Sequence, residues 1–257
     1  MTLDFPDLLQ LIDERSAAFR AAVAAAPSLD ARVPSCPEWT LLDLVRHLGE
    51  GRRKWAAIIA AGPAETLPDP SVWASEMPPA DDREALNAWL AESAGQLIGA
   101  LREAGPDRGC WAWWRRSQSP RTAGAAARHQ LQEIAVHTYD AQLTAGAPQP
   151  LPEEVALDGV EDFQFTCCAT TTPWPHEPVV VEYHATEGRS WRLDLSEEGA
   201  RVARQAGPAA GPAAGISVTG SASELVLFFY NRVQLDSLKF EGDPVHIERL
   251  IDWDPGI

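Results

Sequence analysis

Nowhere in the sequence does an apolar run reach the roughly 18–20 residues that a membrane span requires, so no transmembrane helix is expected. The N-terminal stretch MTLDFPDLLQLIDER has no basic segment ahead of its apolar residues, which argues against a signal peptide. Cationic charge is scarce: 21 Lys and Arg stand against 37 Asp and Glu, a formal net charge of −16. Such a chain repels phosphate backbones and anionic lipid, so neither nucleic acid nor a membrane surface is an expected partner. Cysteine is sparse too, with four in 257 residues, Cys167 and Cys168 adjacent and no C-x2-C pair. This excludes a disulfide framework and a Cys-only zinc site, and it points to reduced thiols in the cytoplasm.

What remains is the composition of a globular protein, 45% hydrophobic and 23% charged, with length enough for one large or two ordinary domains. The most informative stretch is RHQLQEIAVHTYDA, residues 128–141, which contains neither Gly nor Pro. In it His129, Glu133 and His137 recur at intervals of four. On a helix each step of four turns about 40° past a full circle, so the three share a face about 80° wide. Leu131, Ile134, Ala135 and Val136 flank them, so that face is expected to be half buried. A buried carboxylate beside an imidazole needs partners. A divalent metal is one such partner, and bundle helices present Glu and His inward for that purpose. A Glu–His pair bridging one turn of a solvated helix would have the same spacing.

Taken in order, residues 4–26 carry an apolar stripe through Leu8, Leu11, Ile12, Phe19 and Val23 and read as a first helix, closed by Pro27. A loop, SLDARVPSCPEW, leads to Thr40-Leu41-Leu42-Asp43, the pattern of a capping box with Asp at the third helical position. The second helix runs to about Ala61 and sets His47 between Leu44 and Leu48. Five prolines in 62–80 mark a long loop, and Asp81-Asp82 open a third helix that ends near Ala104. An aromatic cluster, Trp111 to Trp114, precedes the fourth helix over about 121–145. Four helices with these connections imply a bundle with one or two long crossovers. After Pro148 the pattern changes: a helix over 152–170, strands at 179–183, 191–195 and 216–218, and a flexible Gly/Pro/Ala loop at 206–215. A second capping box at Ser221–Glu224 opens a helix, followed by a strand at 238–240 and a last helix over 245–253. The reading is two domains, an α-helical 1–149 and an α+β 150–257.

Several of these residues together resemble a known family. They are Pro37-Glu38-Trp39-Thr40, Leu44-Val45-Arg46-His47-Leu48, and Glu133-x-x-x-His137 running into Tyr139-Asp140-Ala141. The chain is similar to the mycothiol-dependent maleylpyruvate isomerase family, a branch of the DinB-like metal-binding four-helix bundles. Gly220 to Leu225 is similar to a turn in the family's sterol-carrier-like C-terminal domain. The resemblance implies His47, Glu133 and His137 as ligands of Zn2+ or another divalent metal. It departs at Gln132, where members often carry His, and His129 is expected outside the ligand set.

The implied chemistry is activation of a small thiol, mycothiol, for cis–trans isomerisation of an electrophilic small molecule or for transfer to it. Two His and one Glu form an open three-ligand set of the kind that catalytic zinc sites use. Arg46, Arg83 and Arg128 are candidates to grip a substrate carboxylate, and Asp140 is expected either to orient an arginine or a ligand imidazole or to be an ordinary solvated acid in the last turn. Cys36, just ahead of the second helix, is the one protein thiol expected to approach the site. Competing readings are a hydrolase or lyase acting through zinc-activated water, or a binding protein without turnover. The expected partners are a small-molecule substrate and a small thiol, the expected state a monomer or weak homodimer.

Overall fold

The structure, a computed structural model, describes residues 3–205 and 215–253. The chain divides into two compact units, Met1–Ala112 with Arg121–Leu151 and Trp113–Pro120 with Pro152–Ile257. The aromatic run is therefore split between them, with Trp111 in the first unit and Trp113 and Trp114 in the second.

The first unit is built on four long helices: α1 (Phe5–Ala25), α2 (Leu41–Ala61), α3 (Arg83–Ala104) and α4 (Ala123–Thr144). Each starts where the local chemistry says it should. Pro6 sits in the first turn of α1, and Asp82 and Thr122 accept backbone N–H groups at the starts of α3 and α4. Thr40 and Asp43 cap α2 reciprocally, as a capping box requires. α1 packs against α3 and α4, while α2 packs mainly on α3 and also meets α4. Leu8, Ile12, Phe19, Leu44, Leu48, Leu90, Leu97, Leu131 and Ile134 fill the interior.

The stretch expected as a loop before α2 is a hairpin, with β1 (Arg32–Val33) antiparallel to β2 (Cys36–Thr40). A two-residue strand is too short for alternation to register, which is why the pattern did not reveal it. β2 runs directly into α2, and Leu41 and Leu42 donate back to the carbonyls of Ala31 and Leu29.

In the second unit α5 (Glu153–Phe163) continues into a π-helical turn, Gln164–Cys168, where one longer helix was expected. A five-stranded sheet follows in the order β5-β4-β3-β6-β7. Its strands are β3 (Val179–Ala185), β4 (Ser190–Ser196), β5 (Gly199–Gln205), β6 (Ile216–Gly220) and β7 (Lys239–Gly242). β3 and β6 are parallel and the other neighbours antiparallel. Along β3, Val179, Val181, Tyr183 and Ala185 are buried and the residues between them are not, the period of two that marked the strand. β5 went unforeseen because it is an edge strand, GARVARQ, with Val202 its one large apolar residue. α6 (Ala222–Phe229) packs on α5 and touches β3 and β6; α7 (Val245–Asp252) ends the described chain. The expected loop at 206–215 lies, apart from Gly215, outside the described residues.

One close approach holds α2 to α3. A Cβ at Gly49 would overlap the Trp89 ring. That ring cannot step aside easily, because its Nε1 donates to Ser75 Oγ and the Arg53 guanidinium lies 4.4 Å above its centre. Gly49→Ala gains about 1 kcal/mol of helix propensity, yet it should lower stability overall, because overpacking costs about 1–3 kcal/mol and here meets a pinned ring. Urea unfolding measures the difference, and a midpoint equal to or above that of the parent protein would refute this packing.

Candidate metal centre

α2 and α4 set three donors against one another. One donor atom from each of His47, Glu133 and His137 lies within 4.8 Å of the other two. Glu133 Oε1 is 2.7 Å from His47 Nε2 and 3.5 Å from His137 Nε2. Donors about 2.1 Å from one tetrahedral zinc ion stand about 3.4 Å apart, so these separations bracket what a shared ion needs. The mixed nitrogen and oxygen set also suits zinc and its neighbours. The side chains of His47 and Glu133 are 39% and 29% exposed, that of His137 only 10%.

Behind His137 lies Asp140, which is fully buried. His137 Nδ1 donates to Asp140 Oδ2 at 2.8 Å, and Ser35 Oγ donates to Asp140 Oδ1 at 2.5 Å. The proton is thus held on Nδ1, and Nε2 faces Glu133. Burial opposes charge on the imidazole, but Asp140 and Glu133 together raise the His137 pKa to about 9. Burial likewise pushes Glu133 upward, and the hydrogen bonds from His137 and His47 override it and hold the carboxyl well below its ordinary range. Trp39, on β2, packs on both imidazoles, its ring centre 4.8 Å from that of His47 and 6.3 Å from that of His137.

The structure therefore brings together His47, Glu133, His137 and Asp140. It takes Arg83 elsewhere: the guanidinium donates to the carbonyls of Val23 and Ala26 and closes the C-terminal end of α1. Arg46 is paired with Asp43. Arg128, half-buried, precedes Glu133 by five residues and so projects about 140° around α4 from it. His129 shares the helical face but is outside the three-residue cluster. Sequence reasoning assigned no role to Ser35 or Trp39. The turn before β2 and the tertiary approach of that strand to the histidines supply both.

Two family descriptions match the chain. The mycothiol maleylpyruvate isomerase N-terminal domain matches residues 9–142, and the C-terminal domain of the same family matches residues 154–249. The chain belongs to the mycothiol-dependent maleylpyruvate isomerase family. Crystal structures of the mycothiol-dependent maleylpyruvate isomerase and of a histidine-to-alanine variant of it share this fold. Their TM-scores are 0.56 and 0.57, each with 16% identity over 94% of this chain and 95% of theirs. Among curated proteins the comparison finds no match. A helical N-terminal region followed by a five-stranded sheet with helices is the family's architecture. Among the described residues no helix is long and apolar enough to cross a membrane.

His137 ties the cluster to pH. Its folded pKa of about 9 lies above the ordinary 6.5, so its charge stabilises the metal-free fold. That contribution is complete below about pH 6.5 and is lost as pH rises through about 9. Asp140→Asn removes the charge that sustains it. The His137 ring resonances should then titrate at lower pH than in the parent, and the stability gap between the two proteins should shrink across that window. An NMR titration of metal-free protein checks this; coincident His137 curves would exclude Asp140 as the cause.

Proposed function

We propose that the protein is a thiol-dependent isomerase of a small electrophile carrying an activated cis double bond. In this reading mycothiol is the thiol, and His47, Glu133 and His137 hold a divalent cation, zinc foremost. The observation that carries the reading is the convergence of those three side chains in a chain of this family. Bound there, the cation would supply a Lewis-acid position at which a thiol ionises at neutral pH.

The chain's own residues prepare that position. Asp140, fixed by Ser35, keeps the His137 proton on Nδ1 and leaves Nε2 available as a donor. Glu133 stays ionised down to low pH. Trp39 packs against both imidazoles from β2. In the reaction, the thiol sulfur forms a bond to one alkene carbon while the π pair moves onto the conjugated carbonyl. Rotation about the resulting single bond follows. The pair then returns, the carbon–sulfur bond breaks, and the thiol is regenerated with no net oxidation or reduction.

The protein's own thiols are poor substitutes. Burial pushes Cys110 up to about 11 and Cys168 up to about 12, and Cys167 lies well above the ordinary thiol value for the same reason, with Cys168 and Asp162 adding to it. None of the four cysteines is in a disulfide; Cys110 is buried, and Cys36, Cys167 and Cys168 are partly buried. Reduced thiols and a small-thiol partner suit the cytoplasm, where this reading places the protein.

Zinc-loaded protein should convert maleylpyruvate only when mycothiol is added. His137→Ala should reduce turnover to background, and Cys36→Ser should leave it intact. Conversion without added thiol would overturn the reading, and a product that keeps the sulfur would make the protein an S-transferase. Metal binding has its own signature. To act as a ligand at pH 7, His137 must give up a proton that it holds up to about pH 9. Zinc titrations in buffers of different ionisation enthalpy should therefore show release of about one proton, and none would argue against His137 as a ligand.

A further inference from the structure

Arg52 stands in the apolar stripe of α2, one turn after Leu48, and is only 2% exposed. Its terminal nitrogens Nη1 and Nη2 are buried and have no hydrogen-bond partner. A guanidinium keeps its proton inside a protein, so a full positive charge is left there with its fork of N–H donors unmet. Leaving a buried donor unmet costs stability, and more so when it is charged.

The surroundings do not relieve it. Burial and Arg20 of α1 pull the Arg52 pKa down to about 9, Arg53 adds to this, and Glu133 alone acts in the opposite sense, so the cation persists at neutral pH. Arg53 is satisfied elsewhere, by the carbonyls of Gly49 and Trp89 and by Glu92. Glu133 is already committed to His47 and His137. A cation at the triad would draw further on that carboxylate and leave Arg52 facing positive neighbours. Arg52 lies five residues beyond His47, about 140° around α2 from it, yet it is near enough to Glu133 for that carboxylate to act on its charge.

We propose that Arg52 is the anchor for a carboxylate of the substrate, gripping two coplanar oxygens with its paired terminal nitrogens in the bundle interior beside Glu133. The assignment of that carboxylate to the electrophile rests on the isomerase reading of the triad. The planar fork matches a carboxylate in a way that a lysine or a lone hydroxyl does not. Already buried and dehydrated, the fork has no water shell to shed when it takes up the anion. The unmet donors are then a binding site awaiting its ligand and not a flaw in the core.

Maleate, a small cis-unsaturated dicarboxylate, is the probe. Calorimetric titration of zinc-loaded protein without thiol should give saturable binding of maleate and none of dimethyl maleate. Arg52→Met should bind maleate at least about tenfold more weakly while retaining the parent's zinc content. Arg52→Lys, which keeps the charge but loses the fork, should fall between the two. With no anion present, Arg52→Met should melt above the parent protein, since a buried unmet charge has been removed; should it fail to fold, Arg52→Lys carries the comparison. In turnover the loss should appear in KM more than in kcat. Equal maleate affinity in the parent and the variants, or no binding by the parent, would overturn the proposal. Arg52-dependent maleate binding in a protein without thiol-dependent turnover would keep the anchor and remove the isomerase reading. Thiol-dependent turnover that is indifferent to Arg52 would do the reverse.

Discussion

A carboxylate held between two imidazoles, in a bundle whose interior is largely apolar, is the constraint to which the helical unit conforms. Glu133 is tolerable there only because positive or proton-donating groups face it from two helices. That requirement extends outward. His137 faces Glu133 because Asp140 holds its other nitrogen, and Asp140 can be fully buried because Ser35 and His137 satisfy it. Ser35 sits in the hairpin turn, and the same hairpin delivers Trp39 to the histidines and Thr40 to the start of α2. A two-stranded ribbon too small to be stable alone thus serves three purposes at the site.

α2 carries His47 and the adjacent pair Arg52 and Arg53 toward its neighbours, and each is treated differently. His47 meets an acid. Arg53 spreads its charge over two carbonyls, one carboxylate and the face of Trp89, and Gly49 gives that ring the room to lie against the helix. Arg52 has none of these partners at its terminal nitrogens. A core built for stability alone would put Leu or Met there. Departures from local consistency of this kind gather at functional sites, and this one lies on the helix that supplies a metal-ligand candidate.

The second unit buries charge in a more ordinary manner. Glu161, almost wholly inside, is met by the Arg204 guanidinium and the Trp191 indole. The buried alternation of β3 and the contacts of α5 with α6 complete a sheet-and-helix core.

The sequence by itself determined the long helices, their caps and the central strands, because hydrophobic period and capping chemistry act within a few residues. Glu133 and His137 were likewise visible as neighbours, since an interval of four defines a shared face on any helix. His47 could be joined to them only through a resemblance, because nothing local says which face of α2 meets α4. Tertiary structure alone decided the rest. It sent Arg83 to the end of α1, set Ser35 and Trp39 beside the histidines, and left Arg52 buried without an acceptor. The physical reason is common to all of these. A side chain's propensity is a property of its neighbours in sequence, whereas its hydrogen-bond partners and its dielectric surroundings belong to elements that are distant in the chain and meet only when it folds.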